Sequence, residues 1–281
     1  MGIIKNPLNI VTDNLYAYYD AANPISYRSE GDSTDLRSLY SIIEPLTIFK
    51  RITQTSTDPL NYSSDYKGYI NFISPVVLNA NNKLFTNFDR TGTCFSWFVR
   101  FTSYPTITLS GFNYPTFFLI GNGITIQSSN NFEFRLGKNG SQITLELESV
   151  FFSNFGLQNG NIPLDYAGQH GNDNNTREFI VDITDYFTLN EWMMITLNME
   201  YYNVFPNEYD NFWKIYINDT LVGEEPSSWA PIRFINVSNN RHVFNDSYND
   251  IDISTMMSYN TTLSDAQIAQ NYNALKHRFN L

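Results

Sequence analysis

Between Cys94 and Phe101 the chain alternates: Phe95, Trp97, Val99 and Phe101 fall on one side of an extended strand, and Ser96, Phe98 and Arg100 on the other. Met193, Ile195, Leu197 and Met199 alternate in the same way with Trp192, Met194, Thr196 and Asn198, and Trp213, Ile215 and Ile217 make a third apolar row. That third row stops at Asn218-Asp219, two residues that tolerate positive φ, before Leu221-Val222 resumes the pattern, which predicts a hairpin. Leu15, Ala17 and Tyr19 against Tyr16 and Tyr18 predict an opening strand, and weaker strand signals follow at 68–73, 117–120, 132–136 and 143–147. Many short strands separated by turn residues predict a sandwich or a barrel.

One helix interrupts this pattern, at the C-terminal end. Ser264 is a favourable N-cap, Gln267 completes a capping box, and Leu263 is placed to staple onto Ile268. Ile268, Tyr272 and Leu275 then share a face, while Lys276, His277 and Arg278 sit where the helix dipole favours positive charge. A helix this short is marginal alone and must dock onto the strands. Residues 1–13 keep no helical period and contain Pro7, so they predict an extended arm ahead of one domain over 14–281. No repeat, charge block or Pro/Ser-rich linker divides that domain.

Composition agrees with a packed β domain and narrows its partners. In 281 residues, 22 Phe and 19 Tyr supply ample area for a core. A net charge of -11 with only 16% charged residues leaves a surface polar through Asn, Ser, Thr and Tyr, which repels nucleic acid and anionic membrane. Cys94, the single cysteine, lies in an apolar strand pattern and reads as a buried structural thiol. The N-terminal residues carry no apolar run fitting a secretory leader, Asn6 stands where a myristoylation signal needs Ser or Thr, and no stretch approaches membrane-spanning length.

Three blocks give the chain a family likeness. The first is Leu15-Tyr16-Ala17-Tyr18-Tyr19-Asp20-Ala21-Ala22-Asn23-Pro24-Ile25-Ser26-Tyr27, followed by Asp35-Leu36. The second is the strand order Gly68-Tyr69-Ile70-Asn71-Phe72, Phe95-Ser96-Trp97-Phe98-Val99, Glu191-Trp192 and Lys214-Ile215-Tyr216-Ile217-Asn218-Asp219. The third, and most specific, is Tyr259-Asn260-Thr261-Thr262-Leu263-Ser264 running into Gln270-Asn271-Tyr272-Asn273-Ala274-Leu275-Lys276. Together they resemble the concanavalin A-like, or laminin G-like, domains of tailed-phage virion proteins. The resemblance implies an all-β jelly-roll sandwich of two antiparallel sheets with one short C-terminal helix. It also implies a place on the phage particle surface, synthesis in the host cytoplasm, and capsid or fibre proteins as partners. After Tyr27 the chain departs from the commoner pattern, with Arg28-Ser29-Glu30-Gly31 in place of a Pro-Gly turn and a Trp.

Signs of catalysis are sparse. Sandwich hydrolases place two carboxylates across a cleft, usually from an E-x-D-x-E strand, and the nearest approach here is Glu146-Leu147-Glu148, better explained as a solvated strand face. His170, His242 and His277 are far apart in sequence and outside any nucleophile or metal motif. We therefore expect no catalytic residues, no cofactor and no enzyme activity. Structural calcium is a common feature of laminin G-like domains, and the acidic residues available for it are Asp173 in a Gly/Asn-rich loop and Asp246, Asp250 and Asp252 before the last strand, although turns demand the same residue types. No ligand set is assigned.

One feature points to a binding surface. Phe98, Trp192, and Phe212 with Tyr216 fall on the face opposite the core, so either a second subunit, a particle protein or a ligand covers them, or the chain folds back over its own sheet. The polar segment 154–176 is long for a connection and suits partner contact. The leading expectation is a non-enzymatic structural protein of a phage particle, a capsid decoration or head-fibre component that oligomerises. The second is a glycan-binding tail-fibre protein using Tyr or Trp rings beside Asn and Asp for host attachment. A glycoside hydrolase of the same fold is third.

Overall fold

Alternation of apolar and polar side chains is realised, among the described residues, as sixteen strands in a computed structural model. It describes residues 9–27, 38–42, 48–51, 61–72, 76–80, 92–104, 116–121, 131–151, 175–201, 211–227, 241–244 and 251–281. In chain order the strands are β1 (Leu15–Asp20), β2 (Ser38–Tyr40), β3 (Ile48–Arg51), β4 (Asn61–Ser63), β5 (Tyr69–Phe72), β6 (Val76–Ala80), β7 (Thr93–Phe101) and β8 (Thr116–Gly121). They continue with β9 (Asn131–Asn139), β10 (Gln142–Phe151), β11 (Asn175–Asp182), β12 (Trp192–Tyr201), β13 (Asn211–Ile217), β14 (Thr220–Ser227), β15 (Arg241–Phe244) and β16 (Ile251–Tyr259). The first sheet runs β14-β13-β12-β7-β16-β5-β4, and the second β11-β10-β9-β8-β15-β6-β3-β2. β1 joins the first sheet beside β16, which offers Thr255–Tyr259 to β1 and Ile251–Ile253 to β5 along the same edge. The predicted class, two antiparallel sheets and one C-terminal helix, is the fold observed.

The inner rows meet as the alternation predicts. Phe95, Trp97, Val99, Phe101, Met193, Ile195, Leu197, Met199, Trp213, Ile215 and Ile217 form one buried layer with Phe134, Leu136, Leu145 and Leu147 of the second sheet. Trp97 and Phe134 bridge the sheets with ring centroids 5.9 Å apart. The weaker strand signals at 68–73, 117–120, 132–136 and 143–147 correspond to β5, β8, β9 and β10, and the Asn218-Asp219 hairpin is present with Asn218 at φ 59. Where β1 gives way to β5, Ser254 closes the junction, accepting from the Ala21 amide at 2.9 Å and donating its hydroxyl to the Gly68 carbonyl at 2.7 Å. Gly68 has φ 128, and a Cβ there would lie 2.9 Å from the Ala21 carbonyl oxygen, so only glycine allows this approach.

The outer face of the first sheet is where sequence left two answers open, and the chain covers it itself. Helix α1 (Asp265–Leu275) forms with the predicted capping box: the Gln267 amide donates to the Ser264 hydroxyl and the Ser264 amide to the Gln267 side chain. Ile268, Leu275 and Leu263 pack with Ile10, Val11, Phe98, Met194, Trp192 and Tyr216 in a second apolar cluster. Phe98 stacks on Phe279 at 4.8 Å and is 0% exposed, so no partner is needed to shield it. The Phe212 side chain lies outside the described residues.

Polar anchors that periodicity does not reveal fix this cover. Asn271, on the buried side of α1, accepts from the Val11 amide at 2.8 Å and donates to the Tyr259 hydroxyl at 2.9 Å. The Asn198 side chain brackets Leu263, donating to its carbonyl at 2.7 Å and accepting from its amide at 3.0 Å. Residues 9–13 are the described part of the expected arm, and they lie against α1, with the Gln270 side chain donating to the Asn9 carbonyl at 2.8 Å. Arg278 turns inward to Asp20 at 3.0 Å and donates to the Ser254 hydroxyl, instead of serving the helix dipole from the surface.

Candidate functional site

The residues that sequence singles out for chemistry do not converge. Inward-facing Ile143, Leu145 and Leu147 put Glu146 on the outer face of β10, where it accepts from the Thr144 hydroxyl at 3.0 Å; the Glu148 side chain lies outside the described residues. His277 is exposed beyond α1, His242 lies in β15 with its side chain outside the described residues, and His170 lies outside them altogether. Asp173, Asp246 and Asp250 lie outside them too, as does most of the 154–176 segment. Among the described residues no three His, Cys, Asp or Glu side chains gather as metal ligands, and no helix is long and apolar enough to cross a membrane.

Cys94 is buried, and burial pushes its thiol up to about 12 against weaker hydrogen-bond effects from Ser96 and Leu263. Since the thiolate is the nucleophile, we expect alkylating reagent at mildly alkaline pH to leave the folded protein unmodified and to label one thiol once it is denatured. Mass spectrometry checks this, and rapid native labelling would contradict the buried position.

Asp252 needs a correction. It stands inside β16, not ahead of the last strand, and its carboxylate is already engaged. Residues Asn71, Asp252, Arg100 and Trp192 are register neighbours across β5, β16, β7 and β12, forming one row over four strands. Asn71 donates to Asp252 Oδ1 at 2.6 Å, and Arg100 Nε donates to Oδ2 at 2.7 Å with Nη2 2.6 Å from the same oxygen. Burial disfavours the Arg100 charge, but the hydrogen bond and charge of Asp252, aided by Tyr69, outweigh it and leave the guanidinium pKa raised.

Around this fixed cation stand aromatic rings. The Arg100 guanidinium lies 5.2 Å from the Tyr66 centroid, 5.1 Å from Tyr69 and 5.2 Å from Trp192, all within cation–π range. Trp192 packs on Phe279 at 4.6 Å, so the C-terminal segment forms the floor. Tyr66 is the outermost member, 37% exposed, edge-on to Trp192 at 5.8 Å. Its backbone sits at φ 52, ψ 30, a left-handed conformation that costs a bulky residue free energy and that Asn or Gly adopts readily. A tyrosine at such a position holds a ring face beside an immobilised guanidinium, an arrangement able to stack on a flat apolar face while hydrogen-bonding its polar edge.

Sequence reasoning singled out Trp192 on this face but missed Tyr66 and the assembly of the patch. Tyr66 lies in a short turn between strand signals, and Arg100 gains its partners only through sheet register. The sole local hint is an aromatic residue two positions before Gly68 in an otherwise polar turn.

No protein-family model matches the chain, and no curated protein matches it. Solved structures do. The binding domain of botulinum neurotoxin DC in complex with SialylT aligns with TM-score 0.52 and 13% identity over 95% of this chain and 52% of that one. The binding domain of botulinum neurotoxin serotype D/C VPI 5993 gives 0.53 and 13% over 95% and 53%, and the DC binding domain with rat synaptotagmin II gives 0.51 and 12% over 94% and 52%. The chain thus spans about half the length of these neighbours. At this identity the likeness is one of architecture: the chain has the β-sandwich fold found in those binding domains.

Proposed function

We propose that the chain is a non-catalytic glycan-recognition sandwich displayed on a tailed-phage particle, contacting saccharide through Tyr66 and Arg100. The observation that carries this reading is the half-exposed Tyr66 ring, held in a conformation unfavourable for tyrosine beside a guanidinium already oriented by Asp252. Rigid aromatic faces with pre-oriented polar groups bind at low ordering cost. The neighbours are named as binding domains, one of them in complex with SialylT, which supports recognition over catalysis. Likeness of the 15–27 and 259–276 blocks to virion proteins supports the particle surface, with capsid or fibre proteins as neighbours there.

The test separates ring from scaffold. Tyr66→Asn suits the left-handed turn, so relief of strain offsets the missing ring packing and stability should stay within about 1 kcal/mol of the parent. Binding on a glycan array should fall at least about tenfold, and free variant should no longer compete with phage adsorption. An array with no hits for the parent chain would end the glycan reading.

A second reading has its own support. Residues of the blocks that resemble virion proteins do scaffold work: Asp20 binds Arg278, the Ser26 hydroxyl accepts from the Asp20 amide, and Asn271 docks Val11. A purely structural component, a capsid decoration or head fibre, would need only these. Because α1 covers the outer face, oligomerisation would have to use another surface, and sedimentation of the purified chain tests it.

A further inference from the structure

We propose a second saccharide subsite, at Tyr104 and Lys138 on the end of the sandwich adjoining Arg100, that takes sugars bearing a carboxylate or phosphate. It rests on the glycan-recognition reading and adds to it an extended site and a charge preference.

Placement comes from the strand ends. β7 finishes at Phe101, one residue beyond Arg100, and Tyr104 comes three residues later. The Phe101 carbonyl accepts from the Asn190 amide at 2.9 Å, tying this end to the 183–191 connection that leads into Trp192. β9 and β10 turn over at the same end, where the Ile143 carbonyl accepts from the Ile183 amide at 2.9 Å. Lys138 continues the inward row of Phe134 and Leu136 and terminates it, so its stem leaves the core at the rim of the sandwich.

There its ammonium lies 3.6 Å from the Tyr104 ring centroid. Tyr104 is 42% exposed and Tyr186, on the facing connection, 46%. Phe187 seats Tyr104 from below, 6.1 Å away, and itself packs on Phe101 at 5.8 Å. The connection is rigidly held: the exposed Asp182 carboxylate accepts from the Thr184 hydroxyl and amide and from the Gln142 side chain, which keep its pKa below the usual range. The Tyr104 ring is therefore held between Phe187 and Lys138, and Tyr186 stands exposed on the connection.

Charge selects the ligand. In a chain of net charge -11, Lys138 makes no ion pair among the described residues, and its ammonium is spent on a ring. A cation–π contact leaves ammonium donors open to an anion. Asp185 and Glu191 are exposed on the same connection, so there is no broad basic field, and attraction is confined to groups within a Debye length, about 8 Å, of Lys138. A sugar lying against the exposed edge of the Tyr104 ring, beside the ammonium, brings a carboxylate or phosphate substituent inside that range, and Arg100, the penultimate residue of β7, belongs to the same end for the next sugars of the glycan.

The experiment is titration calorimetry of the full chain at low and high salt with a uronic-acid oligosaccharide, sialyl-lactose, a polyol-phosphate oligomer and a neutral maltooligosaccharide. The parent should prefer one anionic probe to the neutral one by about tenfold at low salt, with the preference shrinking at high salt. Whether a carboxylated or the phosphorylated probe wins identifies the source of the anion. Lys138→Met keeps the apolar stem over Tyr104 and should erase the preference without moving the melting temperature, while Tyr104→Ala should weaken all probes. A preference that survives Lys138→Met, or a parent indifferent to charge, overturns the subsite and leaves the glycan reading intact if Tyr66→Asn still abolishes array binding. Absence of any saccharide binding by the parent, on array or by titration, overturns both.

Discussion

Replacing Arg278 by Met should cost about 3–5 kcal/mol of folding free energy, because it strands the buried Asp20 carboxylate without its counter-charge. Arg278 and Asp20 are both nearly inaccessible, and Arg278 Nη1 lies 3.0 Å from each of the two carboxylate oxygens, while Nη2 donates to the Ser254 hydroxyl at 3.0 Å. What remains to Asp20 in the variant is the Tyr18 hydroxyl at 3.0 Å and the Ala22 amide at 2.9 Å, two donors for a full charge. Burial already pushes the Tyr18 phenol pKa well up, with the negative charge of Asp20 adding to it, so that hydroxyl stays protonated and donating but cannot neutralise its neighbour. Chemical denaturation should show the loss as a lower midpoint with an unchanged slope, and thermal melting as a drop on the order of 10 °C. The double variant with Asp20→Asn should regain much of it. A single variant within about 1 kcal/mol of the parent would mean that the pair is hydrated.

Deleting residues 263–281 should abolish cooperative folding altogether. The deletion removes Leu263, Ile268, Leu275 and Phe279, each buried, and at about 1.5–3 kcal/mol apiece the loss is on the order of 6–12 kcal/mol, comparable to the whole stability of a domain. It also bares Phe98, Met194 and Tyr216 on the sheet, an apolar patch that invites aggregation. Circular dichroism melting and a hydrophobic dye measure the outcome: a sharp transition with no dye binding would show that the sheets stand without their cover. Val11 loses its Asn271 acceptor in the same stroke, so residues 9–13 should come free as well.

These two results concern a surface on which local pattern was informative and incomplete. Phe98, Trp192 and Tyr216 were legible as apolar side chains on the wrong face, because strict alternation leaves no other place for them. What covers them was not legible: α1 reads as amphipathic, but nothing local says on which sheet it lands. The structure answers through Asn271 and Asn198, two amides whose burial and partners the apolar pattern does not reveal. Similarly, Lys276, His277 and Arg278 look alike as a basic helix end, yet only Arg278 reaches across some 258 residues of sequence to Asp20. The candidate site is the extreme case, since the row Asn71, Asp252, Arg100 and Trp192 is assembled by the pairing of four strands distant in sequence.

By itself the sequence determined that this is a strand protein with one C-terminal helix, which residues face its core, and where the helix begins, because those properties follow from side-chain periodicity and from hydrogen bonds made within a few residues. Only the tertiary structure decided that the chain shields its own outer face, that Arg278 is an internal counter-ion, and that Tyr66, Arg100 and Trp192 meet. Those outcomes depend on strand order and register, which bring together residues whose separation along the chain carries no local signal.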